Sequence, residues 1–245
     1  MFKTISLACV LISSSLVFAA DAAEWSYQGA TAPEHWPELS PAYATCKAHN
    51  QTPVDIRNTL KANLPPLYMA YSSDGQKITN TGHTIQINYA EGSTIEVDAE
   101  KFMLKQMHFH TPSENHINGK SFPMELHLVH ANADGALAVV GVMLTEGRDN
   151  VELAKLWKAM PKKAGESVHL TSENTVSAYN FLPKKQDYYR FSGSLTTPPC
   201  SEGVRWLVMK TPIEASVAQI KAFTDAMGSH TNRPIQALNG RVILE

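Results

Sequence analysis

Short runs in which apolar and polar residues alternate dominate the chain. In HTIQINY, residues 83–89, the apolar positions Ile85 and Ile87 alternate with the polar positions Thr84, Gln86 and Asn88. Because successive side chains of a strand point to opposite faces of a sheet, this two-residue period predicts a half-buried strand. The runs STIEVDA, FMLKQMHFH, MELHLVHAN, ALAVVGVML and VRWLVMK also predict strands, and glycine, asparagine, aspartate and proline separate them. LAVVGVML is apolar throughout, which favours a strand buried on both faces.

Two segments have helical spacing instead. RDNVELAKLWKAM predicts a helix that begins at an Asp149 cap and stops at Pro161. EASVAQIKAFTDAMG predicts a second helix that ends at Gly228, with four apolar residues along one side. These four are Val217, Ile220, Phe223 and Met227. The N-terminal stretch EWSYQGATAPEHWPELSPAYATC has no clear period, so it predicts an irregular segment lying on the body of the protein. Without an internal repeat or linker, the chain is predicted to form one mainly β domain with short peripheral helices.

The first residues have a different character. MFKTISLACVLISSSLVFAADAA contains one early lysine, then an apolar run, then small residues. This layout predicts a signal peptide over residues 1–20, with cleavage after Ala20 or Ala23, and a single domain over residues 24–245. A membrane anchor is the alternative, but the run is short for a span and is interrupted by three serines. The expected location is therefore periplasmic or secreted.

Composition and charge restrict the partners. The 245 residues are 43% hydrophobic and 18% charged, and the formal net charge is −2. These values are ordinary for a globular domain. Because no run of lysine or arginine occurs, nucleic acid is not expected as a partner, and no membrane partner is expected after the leader is removed.

Removal of the leader leaves two cysteines, Cys46 and Cys200. An exported protein folds in an oxidising compartment, where an even pair of cysteines favours a disulfide. Two free buried thiols are the alternative.

The stretch KQMHFHTPSENH, residues 105–116, suggests a metal site. On a strand, His108 and His110 point to the same face, and in MELHLVH Glu125 and His127 also share a face. If the two strands are neighbours, three imidazoles meet. With no cysteine available, such a set suits a zinc ion that keeps one coordination position open. Gln106 and Glu125 are well placed to accept the second ring proton of a ligand histidine.

Two other interpretations compete with a zinc site. Histidines on a strand face are commonly surface groups or hydrogen-bonded core groups. The pattern His-x-His with a following glutamate also occurs in cupins, but a cupin needs a glycine where Phe102 stands and an asparagine where Ala131 stands. The cupin interpretation therefore fails.

These motifs resemble the α-class carbonic anhydrases in their bacterial, exported form. The resemblance runs over nearly the whole mature chain. It rests on WSY, PEHW, QTPVDI, NTGHTIQINY, MHFHTPSEN, MELHLVHAN, LAVVGVML, GSLTTPPC, VRWLVMK and NRPIQ, in that order. It implies the fold of that family, a single domain around a large central twisted mixed β-sheet. It also implies zinc-dependent, reversible hydration of carbon dioxide to bicarbonate and a proton, with esterase activity as a side reaction.

The resemblance also implies a role for each matching residue. The zinc ligands would be His108, His110 and His127, with Gln106 and Glu125 accepting ring protons. Thr196 would accept a hydrogen bond from the nucleophile, Glu114 would accept the proton of Thr196, and His83 would shuttle the reaction proton. The substrate would contact Val129, Val139, Leu195, Thr196, Thr197, Val204 and Trp206. Cys46 and Cys200 would form the disulfide of the bacterial members.

Small departures from the family pattern stand at Thr52, where serine is more usual, and at Thr81, where asparagine often stands. Since Thr81 borders the expected water chain near His83, it bears on proton transfer more than on hydration. The alternative function is a zinc-binding or partner-binding relative without hydration activity, but such relatives usually lose a ligand. The sequence leaves the oligomeric state open, with a homodimer as one option.

Overall fold

The computed structural model describes residues 23–245. The predicted leader, residues 1–20, and the cleavage position after Ala20 lie outside the described residues. The strands are β1 (Asp55–Ile56), β2 (Tyr68–Ala70), β3 (Gly75–Asn80), β4 (Ile85–Tyr89), β5 (Thr94–Val97), β6 (Glu100–His110), β7 (His116–Ile117), β8 (Met124–Ala131), β9 (Leu137–Glu146), β10 (Ser167–His169), β11 (Tyr188–Ser194), β12 (Glu202–Met209) and β13 (Ile213–Ala215). The α-helices are α1 (Trp36–Leu39), α2 (Val151–Ala159) and α3 (Val217–Met227).

One large sheet dominates residues 23–245. It contains 11 strands in the order β10-β3-β4-β6-β8-β9-β12-β11; β5 pairs with β2 and β6, and β13 pairs with β9. β12 and β13 run parallel to β9, whereas the other pairings in the sheet are antiparallel. β1 and β7 form a separate parallel pair. The expected mainly β domain around a large mixed sheet is therefore confirmed.

The predicted helices form with small differences at their ends. α2 is capped by Asn150 rather than Asp149, because the Asn150 side-chain oxygen accepts hydrogen bonds from the amides of Glu152 and Leu153. α3 ends as predicted at Gly228, whose φ of 71° is the left-handed conformation that glycine adopts without strain. The N-terminal stretch forms 3-10 turns at Gly29–Thr31, Pro33–His35 and Pro41–Lys47. No helix among the described residues has the length and apolar character that a membrane crossing requires.

The two faces of the central strands pack differently. On one face, Leu126, Leu128 and Val140 belong to the main core, which includes Leu153 of α2 and Phe223 of α3. The opposite face holds a smaller apolar cluster and the buried polar residues Glu125 and His127. β8 is buried on both faces from Met124 to His130. Its alternating residues therefore point either into the apolar core or into a buried polar face, and neither set points to solvent.

Candidate metal centre

Three histidines converge on this polar face. His108 and His110 belong to β6, and strand register places His127 of β8 directly opposite His108. One ligand atom from each ring lies within 4.8 Å of those of the other two. His110 and His127 are each 1% exposed, and His108 is partly buried. The two strands are therefore neighbours, which is the condition under which the sequence brings three imidazoles together.

Hydrogen bonds to His108 and His110, and a nearby carboxylate at His127, indicate which ring nitrogen of each histidine carries a proton. Gln106 Oε1 lies 2.7 Å from His108 Nδ1, and the Thr231 carbonyl lies 2.6 Å from His110 Nδ1. Both oxygens accept, so each Nδ1 donates and each Nε2 keeps its lone pair. Glu125 Oε1 lies 3.0 Å from His127 Nε2, close enough to accept its proton, although the ring N–H does not point straight at the oxygen. The lone pair of His127 is then on Nδ1.

The three rings are suited to hold a divalent metal ion. Burial lowers the pKa of all three imidazoles, that of His108 and His127 well below the usual range, so the rings are neutral donors near pH 7. The Nε2 atom of His110 is buried without a hydrogen-bond partner among the described residues. A buried polar atom without a partner is costly, and a metal ion would satisfy it. The donor set of three imidazoles fits zinc with one position left open.

Glu125 is held in place by the residues that follow the first histidine pair. Its Oε2 accepts hydrogen bonds from the amides of Glu114 and Asn115, and its Oε1 accepts one from Asn115 Nδ2, each at 2.8 Å. Gly141 stands opposite His127 on β9, where an added Cβ would come within 3.2 Å of Glu125 Oε1. Glu125 therefore occupies one orientation, which presents an oxygen to His127.

Glu114 lies beside the three rings. Its Oε2 is 3.5 Å from His110 Nε2 and 3.9 Å from His127 Nδ1, and its Oε1 accepts a hydrogen bond of 2.9 Å from the Arg233 amide. Burial raises the pKa of this carboxyl to about 8, against opposing hydrogen bonds from the Arg233 amide and the Thr196 hydroxyl. Glu114 and Thr196 are thus placed together, as the resemblance implied.

The predicted apolar wall also comes together. Val129, Val139, Val204 and Trp206 lie in the smaller apolar cluster, with Leu195 packed against it. Strand register explains this, because Val129 pairs with Val139 and Val139 pairs with Trp206. The Trp206 ring meets the His127 ring edge-to-face at 4.9 Å between centroids. A dry surface therefore borders the metal-binding face.

A cavity of about 240 Å³ opens beside His108 and His110, and its lining includes Thr197 and His83. His83 is stacked on Trp25 with ring centroids 3.7 Å apart. Burial lowers the pKa of His83, and nearby Glu24 partly opposes this effect. His83 thus borders the same cavity as His108 and His110.

The two Thr departures have a local explanation. The Thr81 hydroxyl accepts hydrogen bonds from the amides of His83 and Thr84 and so shapes the turn that carries His83. The Thr52 hydroxyl accepts a hydrogen bond of 2.9 Å from the Ser194 amide. It sits where a side chain at Gly193 would clash, since an added Cβ there would lie 2.0 Å from Thr52 Oγ1.

Cys46 and Cys200 form the predicted disulfide. The Cys200 amide also donates a hydrogen bond of 2.9 Å to the Thr197 carbonyl. The disulfide therefore links the N-terminal segment to the turn that carries Thr196 and Thr197.

Sequence analysis missed several residues of this region: Trp25, Tyr27, Asn115, Thr231 and Arg233. Thr231 and Arg233 act through a main-chain carbonyl and a main-chain amide, which leave no signature in side-chain patterns. The motif NRPIQ contains Arg233 and supported the resemblance, but it suggested no role. Trp25 and Tyr27 lie in the stretch without a period.

Comparisons with known proteins agree with this geometry. The family model described as eukaryotic-type carbonic anhydrase matches residues 31–245. A protein named carbonic anhydrase from Pectobacterium carotovorum is 46% identical over 241 residues, covering 98% of each chain, and one from Klebsiella pneumoniae is 45% identical over 248 residues, covering 100% of each chain. Among solved structures, the α-carbonic anhydrase of Thermovibrio ammonificans, in complex with the inhibitor sulfanilamide, is 46% identical with a TM-score of 0.89, covering 91% of this chain and 100% of the other. A hyperthermostable carbonic anhydrase from a hydrothermal vent chimney is 52% identical with a TM-score of 0.88, covering 91% and 99%. With its three converging histidines and the matched length, the chain belongs to the eukaryotic-type, or alpha, carbonic anhydrase family.

Proposed function

We propose that this protein is an exported zinc enzyme that hydrates carbon dioxide reversibly to bicarbonate and a proton. The observation that carries the proposal is the set of three neutral ring nitrogens beside Glu114 and an apolar wall. A bound zinc ion would make water acidic enough to act as a nucleophile near neutral pH, a property known from carbonic anhydrases themselves. His108, His110 and His127 would hold the ion.

Thr196 and Glu114 orient the attack. A divalent cation held by the three rings would favour the ionised form of the neighbouring Glu114 carboxyl, to which the Thr196 hydroxyl donates its only proton, so the Thr196 oxygen is left to accept a hydrogen bond from the nucleophile. Glu114 is itself fixed by the Arg233 amide. Acceptance at Thr196 turns an oxygen lone pair of the nucleophile toward the substrate.

The apolar wall receives the substrate. Carbon dioxide is linear, uncharged and without hydrogen-bond donors, so Val129, Val139, Leu195, Val204 and Trp206 suit it better than polar groups would. Thr197 lines the cavity beside His108 and His110 and would contact bicarbonate there.

His83 carries the product proton. It borders the cavity and is half-buried, so it can pass a proton between cavity water and buffer near neutral pH. Burial lowers its pKa, which favours rapid release of the proton to solvent.

The disulfide and the apolar N-terminal run support export to the periplasm or the exterior as a single domain over residues 24–245. Esterase activity is expected as a side reaction of the same site. The alternative of a zinc-binding relative without hydration activity is disfavoured by the retained Glu114 and Thr196. The homodimer option is tested by light scattering on the same preparation.

The test is stopped-flow carbon dioxide hydration combined with metal analysis. We expect zinc in the purified protein, and loss of hydration after His110→Ala or after removal of the metal. His169→Ala, a change at an exposed histidine of β10, is the matched control and should leave turnover unchanged. Unchanged hydration in the metal-free protein or in the His110→Ala variant would refute the proposal.

A further inference from the structure

A loop near the C-terminus orients two groups of the candidate metal centre through its main chain. The Thr231 carbonyl accepts the Nδ1 proton of His110 at 2.6 Å, and two residues later the Arg233 amide donates to Glu114 Oε1 at 2.9 Å. Residues 231–238 form neither helix nor strand. Regular secondary structure therefore does not fix the positions of these two main-chain groups.

The side chain of Arg233 supplies an anchor for this loop. It is 2% exposed. Its Nη1 donates to Gln51 Oε1 at 2.8 Å and to the Thr52 carbonyl at 2.9 Å, and its Nη2 donates to the Cys46 carbonyl at 2.7 Å.

The partners of this guanidinium are neutral. Among residues 23–245, no carboxylate lies within ion-pair distance of Arg233, and the group sits 5.5 Å from the centre of the Trp36 ring. Burial lowers the pKa of Arg233 to about 10, so it is still charged at neutral pH. Its Nε is buried without a hydrogen-bond partner among the described residues, so the three bonds of the two Nη groups hold this charge in place at a cost in stability, which indicates a geometric role.

We propose that Arg233 is a positioning residue for the metal centre. Its rigid, forked side chain fastens the loop to three points on the segment 46–52, so that the Thr231 carbonyl and the Arg233 amide hold His110 and Glu114 in place. The inference rests on the proposed function. Lysine would keep the charge but not the planar fork that reaches several acceptors at once.

The test measures how fast the zinc-loaded protein releases its metal to excess dipicolinate, well below the melting temperature. Loss of an outer hydrogen bond to a ligand histidine typically weakens metal binding about 10- to 100-fold, so we expect Arg233→Met to release zinc at least about tenfold faster. Arg233→Lys should lie between this variant and the wild type. If Arg233→Met does not fold, Arg233→Lys decides, with an expected acceleration of about threefold or more.

Arg241→Met is the matched control. Arg241 also donates to main-chain carbonyls, those of Gln51, Ala237, Leu238 and Ser192, so it anchors the far end of the same loop, whereas none of its hydrogen bonds reaches the Thr231 and Arg233 end that holds His110 and Glu114. We expect this variant to lower the melting temperature while release changes less than about twofold.

The outcomes separate the inference from the function on which it rests. Folded Arg233 variants that release zinc at the wild-type rate would overturn the inference, as would an equal acceleration in Arg241→Met. A wild-type protein that binds no zinc would instead overturn the proposed function, and the inference with it.

Discussion

Replacing Glu125 by glutamine should weaken metal binding without changing the shape of the site. Glu125 is fully buried and accepts hydrogen bonds through both oxygens. A glutamine can keep an oxygen for the amides of Glu114 and Asn115. Its NH₂ group would then face Asn115 Nδ2 and His127 Nε2, where the carboxylate now offers an acceptor. His127 would then change tautomer, with the lone pair on Nε2 facing that NH₂ group and the proton on Nδ1, the atom that would bind the metal.

The size of the effect follows from the contacts that are lost. Glu125 Oε1 lies 3.0 Å from His127 Nε2, and a well-aligned hydrogen bond to a charged acceptor contributes about 1.5–3 kcal/mol, which is an upper limit here because the N–H does not point straight at the oxygen. At about 1.4 kcal/mol per factor of ten, loss of this contact weakens zinc binding by at most roughly 10- to 150-fold. The unpaired Asn115 NH₂ group also costs about 1–3 kcal/mol, which should appear in the free energy of unfolding.

The assay is zinc binding at equilibrium in chelator-buffered solutions, with near-ultraviolet circular dichroism to verify the fold. Gln106→Ala is the control, because Gln106 also accepts a ring proton but borders the cavity, where water can replace it. We expect this control to weaken zinc binding by less than about tenfold. Wild-type affinity in Glu125→Gln, or an equal loss in Gln106→Ala, would contradict this reasoning.

Two further predictions concern other histidines. His83→Ala should slow turnover by at least about tenfold in weak buffer, and added imidazole should partly restore it; no response to imidazole would remove His83 from proton transfer. Burial lowers the pKa of His130 from 6.5 to about 4, and the buried ring lies 2.8 Å from the Tyr71 hydroxyl. Above pH 6.5 the His130 ring is neutral in both the folded and the unfolded protein, so its contribution to the free energy of unfolding is constant there. Between pH 6.5 and 4 the unfolded ring binds a proton that the folded ring does not, which favours the unfolded state. The free energy of unfolding should fall by about 3 kcal/mol as the pH decreases from 6.5 to 4. Urea unfolding over this range should show a smaller slope for His130→Gln, and equal slopes would contradict the prediction.

Much of the fold could be predicted because the alternation of the central strands matches their final burial. The two-residue period placed His108, His110 and His127 on shared faces, and the register of β6 and β8 then brought them together. Short elements such as β10 (Ser167–His169) left no comparable signal, because all three of its residues are exposed. The cap of α2 moved by one residue because both Asp149 and Asn150 can cap, and local geometry decides between them.

The candidate site was predictable in its side chains but not in its main-chain contacts. The resemblance supplied roles for residues such as Glu114 and Thr196, and the structure places them together. The Thr231 carbonyl and the Arg233 amide could not be predicted, because every residue except proline carries both groups. Their roles come from tertiary contacts with His110 and Glu114, which lie 121 and 119 positions earlier in the chain.

The disulfide has a consequence for when the protein matures. Cys46 and Cys200 are 154 positions apart. Because Cys200 lies more than four-fifths of the way along the 245-residue chain, the disulfide can form only after that much of the chain has been synthesised. Closing a loop of this size removes unfolded-state entropy equivalent to about 5 kcal/mol. A newly made chain kept among cytosolic reductants would lack this cross-link behind the Thr196 turn, and full resistance to unfolding would come only when the two cysteines are oxidised.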